Sequence, residues 1–169
     1  MEEELSPSAR RVAQALAALG AGGRVREMPA STRTAAEAAR AVGCAVGQIA
    51  KSLVFQVAPD GRAVLVIASG ANRVDEKKLA LLLGGPVRKA SAEFVREVTG
   101  FAVGGVPPVG LRTALDVLID EDLFRYGEIW AAAGTPRAVF ATTPAELARL
   151  TAGRVARLAE EPPPQPAGG

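Results

Sequence analysis

One short segment organises this chain, and it reads Gly47-Gln48-Ile49-Ala50-Lys51-Ser52-Leu53-Val54-Phe55. Its second half continues to residue 57 as a run of branched and aromatic side chains, which predicts a β-strand. Lys51 stands just before that strand, with the apolar pair Ile49 and Ala50 on its other side. We therefore expect its ammonium to lie near the core or in a cleft, where it needs an anionic partner or a chemical role. The alternative is a strand-edge lysine whose stem packs on the core while its ammonium reaches water.

The composition is that of one globular domain of ordinary size. The chain has 169 residues, of which 49% are hydrophobic and 22% are charged. It contains no apolar run of transmembrane length and no signal-peptide pattern, so we expect a cytoplasmic protein without membrane partners. The net charge is only +2, which predicts no strong nonspecific binding of nucleic acid but leaves room for a local arginine-rich face.

The chain contains no histidine, and this absence restricts its chemistry more than any other feature. It excludes a histidine-based triad, a Cys-His dyad and the usual acid–base group at neutral pH. The single cysteine, Cys44, excludes an internal disulfide and a zinc site built from cysteines. Any catalysis must therefore use a lysine, carboxylates, hydroxyls, backbone N–H groups or groups of the substrate. The seven aromatic residues also argue against an aromatic platform for stacked bases.

Local signals define the secondary structure. Five segments predict helices because each begins at a Ser, Thr or Asp that can cap the first turn. These caps are Ser6, Thr34, Asp75, Ser91 and Thr143. Apolar runs predict strands at residues 25–28, 52–57, 63–68, 87–89, 115–119, 129–133, 138–141 and 155–158. Hairpins mixed with isolated helices predict a single α+β domain with a mixed, mostly antiparallel sheet, not a doubly wound parallel sheet. We expect this domain to cover residues 1–160, and residues 161–169 to form a disordered tail rich in Pro and Gly.

A second unusual segment runs from Gly100 to Gly110. It has four glycines and two prolines in eleven residues, so it can form neither a helix nor a central strand. Gly104 and Gly105 can present backbone N–H groups to a carbonyl or an oxyanion, although a tight connecting loop would explain the same residues. Lys51 and this loop form the only pair that suggests a site.

Taken in order, these segments resemble a known family. The motifs are Thr34-Ala-Ala-Glu-Ala-Ala, Ile49-Ala-Lys-Ser-Leu-Val-Phe, Leu65-Val-Ile-Ala-Ser-Gly, Gly104-Gly-Val-Pro-Pro-Val-Gly and Ala133-Gly134. Together they are similar to the YbaK/prolyl-tRNA synthetase-associated domain, the freestanding trans-editing deacylases. The resemblance extends over roughly residues 8–158 and implies a curved, barrel-like sheet flanked by helices.

The resemblance also implies an activity and a site. The activity is hydrolysis of the ester that joins a wrong amino acid to the terminal ribose of a tRNA, with the acceptor end of that tRNA and a synthetase as partners. No cofactor or metal is implied, and the vicinal ribose hydroxyl is thought to help activate water. The catalytic positions are Lys51, Gly104 and Gly105. The implied substrate-binding positions are Met28, Thr32, Ser52, Val106, Pro107, Pro108, Gly134 and Thr135.

The identity of the amino acid is not implied. The family members directed at Cys-tRNA carry polar groups around Gly134, whereas this chain has Ala131, Ala132, Ala133 and Val139. The small apolar residues of the glycine loop favour a small aminoacyl group. We expect the loop to face the Lys51 ammonium within about 10 Å, the span of a small ligand. A noncatalytic module that binds aminoacyl-tRNA, a synthetase or another small ligand is the alternative.

Overall fold

The computed structural model describes residues 4–161. It contains five α-helices, α1 (Pro7–Ala18), α2 (Ala35–Val42), α3 (Glu76–Leu83), α4 (Ala92–Thr99) and α5 (Pro144–Thr151). All five predicted N-caps are confirmed, because each cap side chain accepts a hydrogen bond from a backbone N–H in the first turn of its helix. None of the helices in this part of the chain has the length and apolar character needed to cross a membrane.

The eight strands form one mixed sheet. They are β1 (Val25–Glu27), β2 (Ile49–Val57), β3 (Arg62–Ser69), β4 (Val87–Lys89), β5 (Asp116–Asp120), β6 (Ile129–Ala132), β7 (Ala138–Thr142) and β8 (Arg154–Ala156). The strand order is β1-β7-β6-β2-β3-β5-β8, and β4 pairs with a further part of β2. Four of the seven pairings are antiparallel and three are parallel, namely β2 with β6, β3 with β5 and β5 with β8. The predicted α+β class and mixed sheet are confirmed.

Helices cover both faces of the sheet. Buried residues of α1, α4 and α5 pack with Leu65 and Ile67 in the largest core cluster. On the opposite face Leu79 of α3 packs with Phe55 and Val57 of β2. A third, smaller cluster joins α2 to the start of β2 and to β6 and β7. Side chains that alternate along a strand therefore enter different cores, which fixes the register of β2.

The start of β2 lies earlier than predicted. The expected strand began at residue 52, but Ile49 already pairs with Trp130 of β6, and Ala50 pairs with Ser69 of β3. Lys51 is therefore the third residue of a strand rather than the end of a turn. A short 3₁₀ helix, Val46–Gln48, precedes the strand. The cause is long-range pairing, which a local pattern of apolar residues does not contain.

The edge of β2 opposite β3 has a gap. Along this edge β6 pairs with Ile49 and Ala50, while β4 pairs only from Phe55 onward. Lys51, Ser52 and Leu53 lie between these two pairings. In this gap none of the described strands pairs with the edge of β2, so the middle of β2 is accessible from the side.

Part of the predicted tail lies outside the residues that the structure describes. Glu161 is described, and its carboxylate lies 3.1 Å from the Lys78 ammonium. Residues 1–3 and 162–169 lie outside the described residues, so the predicted disorder of 162–169 stays a prediction.

Candidate functional site

A cavity of about 320 Å³ opens at the gap in β2. Its floor is β2 itself, and its walls come from β6, β7, the start of α2 and the glycine loop. The volume is at the low end of ligand pockets, which suits a small group rather than a long side chain. The lining residues are Thr32, Arg33, Thr34, Ala35, Ala38, Ile49, Ala50, Lys51, Ser52, Leu53, Val103, Gly104, Val106, Trp130, Ala131, Ala132 and Val139.

Lys51 is half-buried in this cavity, and its ammonium is bound to a carbonyl. Lys51 Nζ donates a hydrogen bond to the backbone oxygen of Asn72 at 2.7 Å. Burial lowers the pKa of Lys51 below its ordinary value, and the nearby Lys89 and Arg73 lower it further, while Asp120 opposes them. A lysine that only extended its ammonium into bulk water would not lose solvation in this way. The hydrogen bond to a carbonyl and the partial burial agree with an ammonium in a cleft, and the role of Lys51 stays a prediction.

Two hydroxyls of the cavity have no hydrogen-bond partner. Among residues 4–161, Thr32 Oγ1 and Ser52 Oγ are the buried side-chain nitrogen or oxygen atoms without one. Thr32 is only 5% exposed and is held by its N–H, which donates to the carbonyl of Pro136 at 2.7 Å. A buried hydroxyl without a partner costs roughly 1–3 kcal/mol, so Thr32 and Ser52 are positions where a bound water or a polar group of a ligand would be stabilising.

The two glycines of the loop have different surroundings. Gly104 has φ +92°, and a Cβ there would lie 2.6 Å from Cγ of Arg33, so the glycine lets that side chain cross the loop. Gly105 faces away from the cavity: a Cβ there would lie 2.9 Å from the backbone of Thr135. The N–H of Gly105 already donates to the Ala102 carbonyl at 3.0 Å. Of the two glycines, Gly104 is the one that lines the cavity.

The structure brings five of the implied site residues together and separates the others. Lys51, Thr32, Ser52, Gly104 and Val106 all line the cavity, as the expected meeting of lysine and loop requires. The remaining positions lie behind the cavity wall, and their described contacts are structural. These positions are Met28, Gly105, Pro107, Pro108, Gly134 and Thr135.

Several of the six positions outside the cavity have described contacts or are buried. The Gly134 N–H donates to the Gly105 carbonyl at 2.9 Å, which ties the turn after β6 to the loop. Pro107 and Pro108 are buried. The N–H of Met28 donates to the carbonyl of Arg137 at 2.7 Å, beyond the end of β1.

Some lining residues had no signal in the sequence. Trp130 contributes one wall and is 8% exposed. Its apolar neighbours in β6 predicted only a buried strand. Arg33 is a second cation among the lining residues, and no Asp or Glu is among the described residues that line the cavity. The electrostatic character of the cavity is therefore positive, which favours a ligand that carries or develops negative charge.

A larger and more open groove of about 760 Å³ lies on the other side of Trp130. Arg24, Arg26 and Arg149 line it together with two glutamates. Arg149 is paired with Glu146. The groove contains none of the implied site residues, and its charges are mixed, so size alone does not make it the site.

The fold and the site together define a class of protein. It is a mixed-sheet domain with a lysine in a gap between strands. The family model described as the aminoacyl-tRNA editing domain matches residues 29–150. The chain belongs to this family, and the resemblance to the YbaK/prolyl-tRNA synthetase-associated domain is confirmed.

Individual relatives agree with the family. An uncharacterised protein, YwhH, of Bacillus subtilis (strain 168) is 34% identical over 131 residues, which are 78% of this chain and 83% of that protein. The multifunctional Ser/Thr-tRNA deacylase ProXp-y of Escherichia coli (strain K12) is 38% identical over 96 residues, 54% of this chain and 58% of the deacylase. A crystal structure described as that of a candidate trans-editing enzyme for prolyl tRNA synthetase is 58% identical. It superposes with a TM-score of 0.88 over 94% of this chain and 100% of the other.

Proposed function

We propose that this protein hydrolyses, in trans, the ester that joins a small amino acid to the wrong tRNA. The observation that carries the proposal is the cavity lined together by Lys51, by residues of the glycine loop, and by Thr32 and Ser52, whose hydroxyls have no partner. The relatives that deacylate or edit aminoacyl-tRNA support the same reaction class. The cytoplasm, where tRNA is charged, is the expected location.

The chemistry of the cavity supports ester hydrolysis without an enzyme nucleophile. An aminoacyl ester is already activated, and its hydrolysis passes through a tetrahedral intermediate whose oxygen becomes negative. The Lys51 ammonium can stabilise that charge, because it is preorganised and half-buried. The chain has no histidine, and within residues 4–161 no carboxylate lines the cavity to act as a base. We therefore propose that the vicinal hydroxyl of the substrate's own ribose orients the attacking water.

The backbone of β2 offers further polar groups. The Val54 carbonyl accepts the N–H of Ala90 on the edge where β4 pairs. Because peptide groups alternate along a strand, the N–H and C=O of Ser52 face the same edge, inside the gap. They can bind the ester carbonyl or the α-amino group of the substrate, together with the hydroxyls of Thr32 and Ser52.

The walls restrict the size of the amino acid. Val106, Ala131 and Val139 contribute aliphatic groups and no hydrogen-bond donors beyond their backbone. Such walls discriminate by about 1–3 kcal/mol per methylene, so a few small amino acids are accepted and long ones are excluded. No single amino acid is assigned.

The test is a panel of tRNAs charged with Ala, Ser, Thr, Cys, Leu and Arg. We expect release of one or more of the small amino acids and no release of Leu or Arg. Lys51→Ala and Lys51→Arg are expected to be inactive, since a guanidinium is larger and forked and cannot replace a point charge. Lys77→Ala, at an exposed lysine on α3, is the matched control and is expected to keep full activity. Binding of the same tRNAs without hydrolysis of any would support the noncatalytic module instead.

The synthetase partner is tested separately. We expect deacylation without a synthetase, because the lysine, the hydroxyls and the loop all come from this chain. A rate that rises with added prolyl-tRNA synthetase would assign it a role in delivering the tRNA.

A further inference from the structure

A polar network lies directly behind Lys51, outside the cavity wall. The carbonyl that binds Lys51 Nζ belongs to Asn72, in the turn after β3. The side-chain amide of Asn72 donates to Asp120 Oδ2 at 2.9 Å and to Asp122 Oδ2 at 2.8 Å. One asparagine therefore binds the lysine through its backbone and two carboxylates through its side chain.

Asp120 is the centre of this network. It is the last residue of β5 and only 1% exposed, which is unusual for a carboxylate. Its Oδ2 accepts the N–H of Ser69 at 3.0 Å as well as the amide of Asn72. Its Oδ1 accepts the N–H of Asp122 at 3.0 Å. A buried carboxylate with three donors is rigid, and it fixes the turn that carries the Asn72 carbonyl.

We propose that Asn72 and Asp120 are positioning residues that hold the Lys51 ammonium at one point of the cavity wall. The inference rests on the proposed function, because the position of Lys51 matters only if Lys51 acts on the substrate. Neither residue needs to touch the substrate. Asp120 acts through Asn72, and Asn72 acts through its carbonyl oxygen.

The electrostatics agree with this geometry. Three charged groups act on Lys51, one from each neighbouring element: Lys89 on β4, Asp120 at the end of β5 and Arg73 in the turn after β3. Lys89 and Arg73 lower the pKa of Lys51, and Asp120 raises it. Asp120 therefore helps to keep Lys51 protonated in a place where burial and two cations oppose the charge.

A purely structural role must be separated from this one, because Asp120 also caps the 3₁₀ helix Glu121–Arg125. Asp120→Asn keeps an oxygen for that cap but directs its NH₂ group at two donors. Asn72→Ala leaves the backbone carbonyl in place and removes its link to Asp120. Thr143→Ala removes the cap of α5, away from the cavity, and serves as the control for lost stability. Lys89→Gln removes a cation and should act on Lys51 in the opposite direction to Asp120→Asn.

The first measurement is steady-state deacylation from pH 6 to 10 on a substrate that the wild type accepts, corrected for spontaneous hydrolysis. We expect Asp120→Asn and Asn72→Ala to lower kcat by roughly 10–100-fold with little change in KM, since small displacements at a reacting centre have effects of this size. The alkaline limb, where Lys51 loses its proton, should move to lower pH in Asp120→Asn and to higher pH in Lys89→Gln. Thr143→Ala should lower only the melting temperature.

The second measurement does not depend on activity. Competitive acetylation with acetic anhydride over a pH series, read by peptide mass spectrometry, gives the apparent pKa of Lys51 in each variant. We expect a lower pKa in Asp120→Asn and a higher one in Lys89→Gln.

Two results would overturn the inference. In the first, Asp120→Asn and Asn72→Ala lose stability as Thr143→Ala does but keep wild-type kcat. In the second, the pKa of Lys51 is the same in Asp120→Asn as in the wild type. If the wild type hydrolyses nothing, the proposed function fails, and the acetylation series still decides whether Asp120 acts on Lys51.

Discussion

The substitution Thr32→Val tests whether the cavity is built to complete its hydrogen bonds with a ligand. The two side chains have nearly the same shape, and the change replaces a hydroxyl by a methyl group. Thr32 Oγ1 is buried and has no partner, so the folded protein bears a cost of roughly 1–3 kcal/mol for it. We expect Thr32→Val to recover about 1 kcal/mol or more, which corresponds to a rise in melting temperature of about 2–4 °C per kcal/mol.

Thr99→Val is the matched control. Thr99 is also a fully buried threonine, but its Oγ1 lies 2.6 Å from the carbonyl of Val95 and accepts the N–H of Phe101 at 3.1 Å. Its replacement leaves that N–H without a partner, so we expect a loss of about 1–3 kcal/mol. The same chemical change should therefore alter stability in opposite directions at the two sites. Urea unfolding followed by circular dichroism measures both.

Activity should fall in Thr32→Val, which gains stability, and should change less in Thr99→Val, which loses it. If the Thr32 hydroxyl binds the substrate, its loss removes a neutral hydrogen bond of about 0.5–1.5 kcal/mol and lowers kcat/KM roughly 2–13-fold. Thr99→Val, whose side chain does not line the cavity, should change kcat/KM less. A Thr32→Val variant that is destabilised as much as Thr99→Val would refute the reasoning, because it would mean that solvent already satisfies the hydroxyl.

Three further predictions concern the loop and the end of the chain. Gly105→Ala should destabilise the protein by about 1–3 kcal/mol in urea unfolding, because its Cβ would lie 2.9 Å from neighbouring backbone. Its control is Gly127→Ala, which has open space around its Cβ and should change stability by less than about 0.5 kcal/mol. Val106→Ala should broaden the range of amino acids released from the tRNA panel, since it enlarges the cavity. Removal of residues 162–169, which contain four prolines and no apolar periodicity, should leave both melting temperature and activity unchanged.

Helices were predictable from the sequence because their signals are local. Each of the five predicted caps is separated from the N–H that it binds by only two or three residues. The hairpin of β2 and β3 was predictable for the same reason, since its turn residues lie between its strands. The same locality explains why Lys51 and the glycine loop stood out, each within a single short segment.

The gap in β2 was not predictable in this way. It exists because β6, some eighty residues later in the chain, pairs only with Ile49 and Ala50, and because β4 begins its pairing at Phe55. Parallel pairings need long crossovers, and their register depends on how the intervening helices pack. The sequence therefore indicated which residues form a site without indicating what opens it.

Asn72 and Asp120 were missed for a related reason. Asp120 belongs to an acidic run, Asp120-Glu121-Asp122, whose composition is typical of a turn. Only the first of the three is fully buried, because it ends a central strand and accepts hydrogen bonds from Ser69, at the end of β3, and from Asn72, in the turn that follows. Nothing in the spacing of Asn72 and Asp120, which are 48 residues apart, joins them to Lys51.

Under the proposed function, the charge at the cavity serves the transition state of ester hydrolysis more than the ester itself. Lys51 and Arg33 supply positive charge, and no carboxylate among the described lining residues neutralises it. Lys51 is bound to a neutral carbonyl rather than to an anion, so its charge is only partly compensated. A neutral ester does not use that charge, whereas the oxyanion of the tetrahedral intermediate does. Interactions that strengthen as the reaction proceeds raise kcat rather than ground-state affinity, which accounts for a lysine whose own solvation is diminished in the fold.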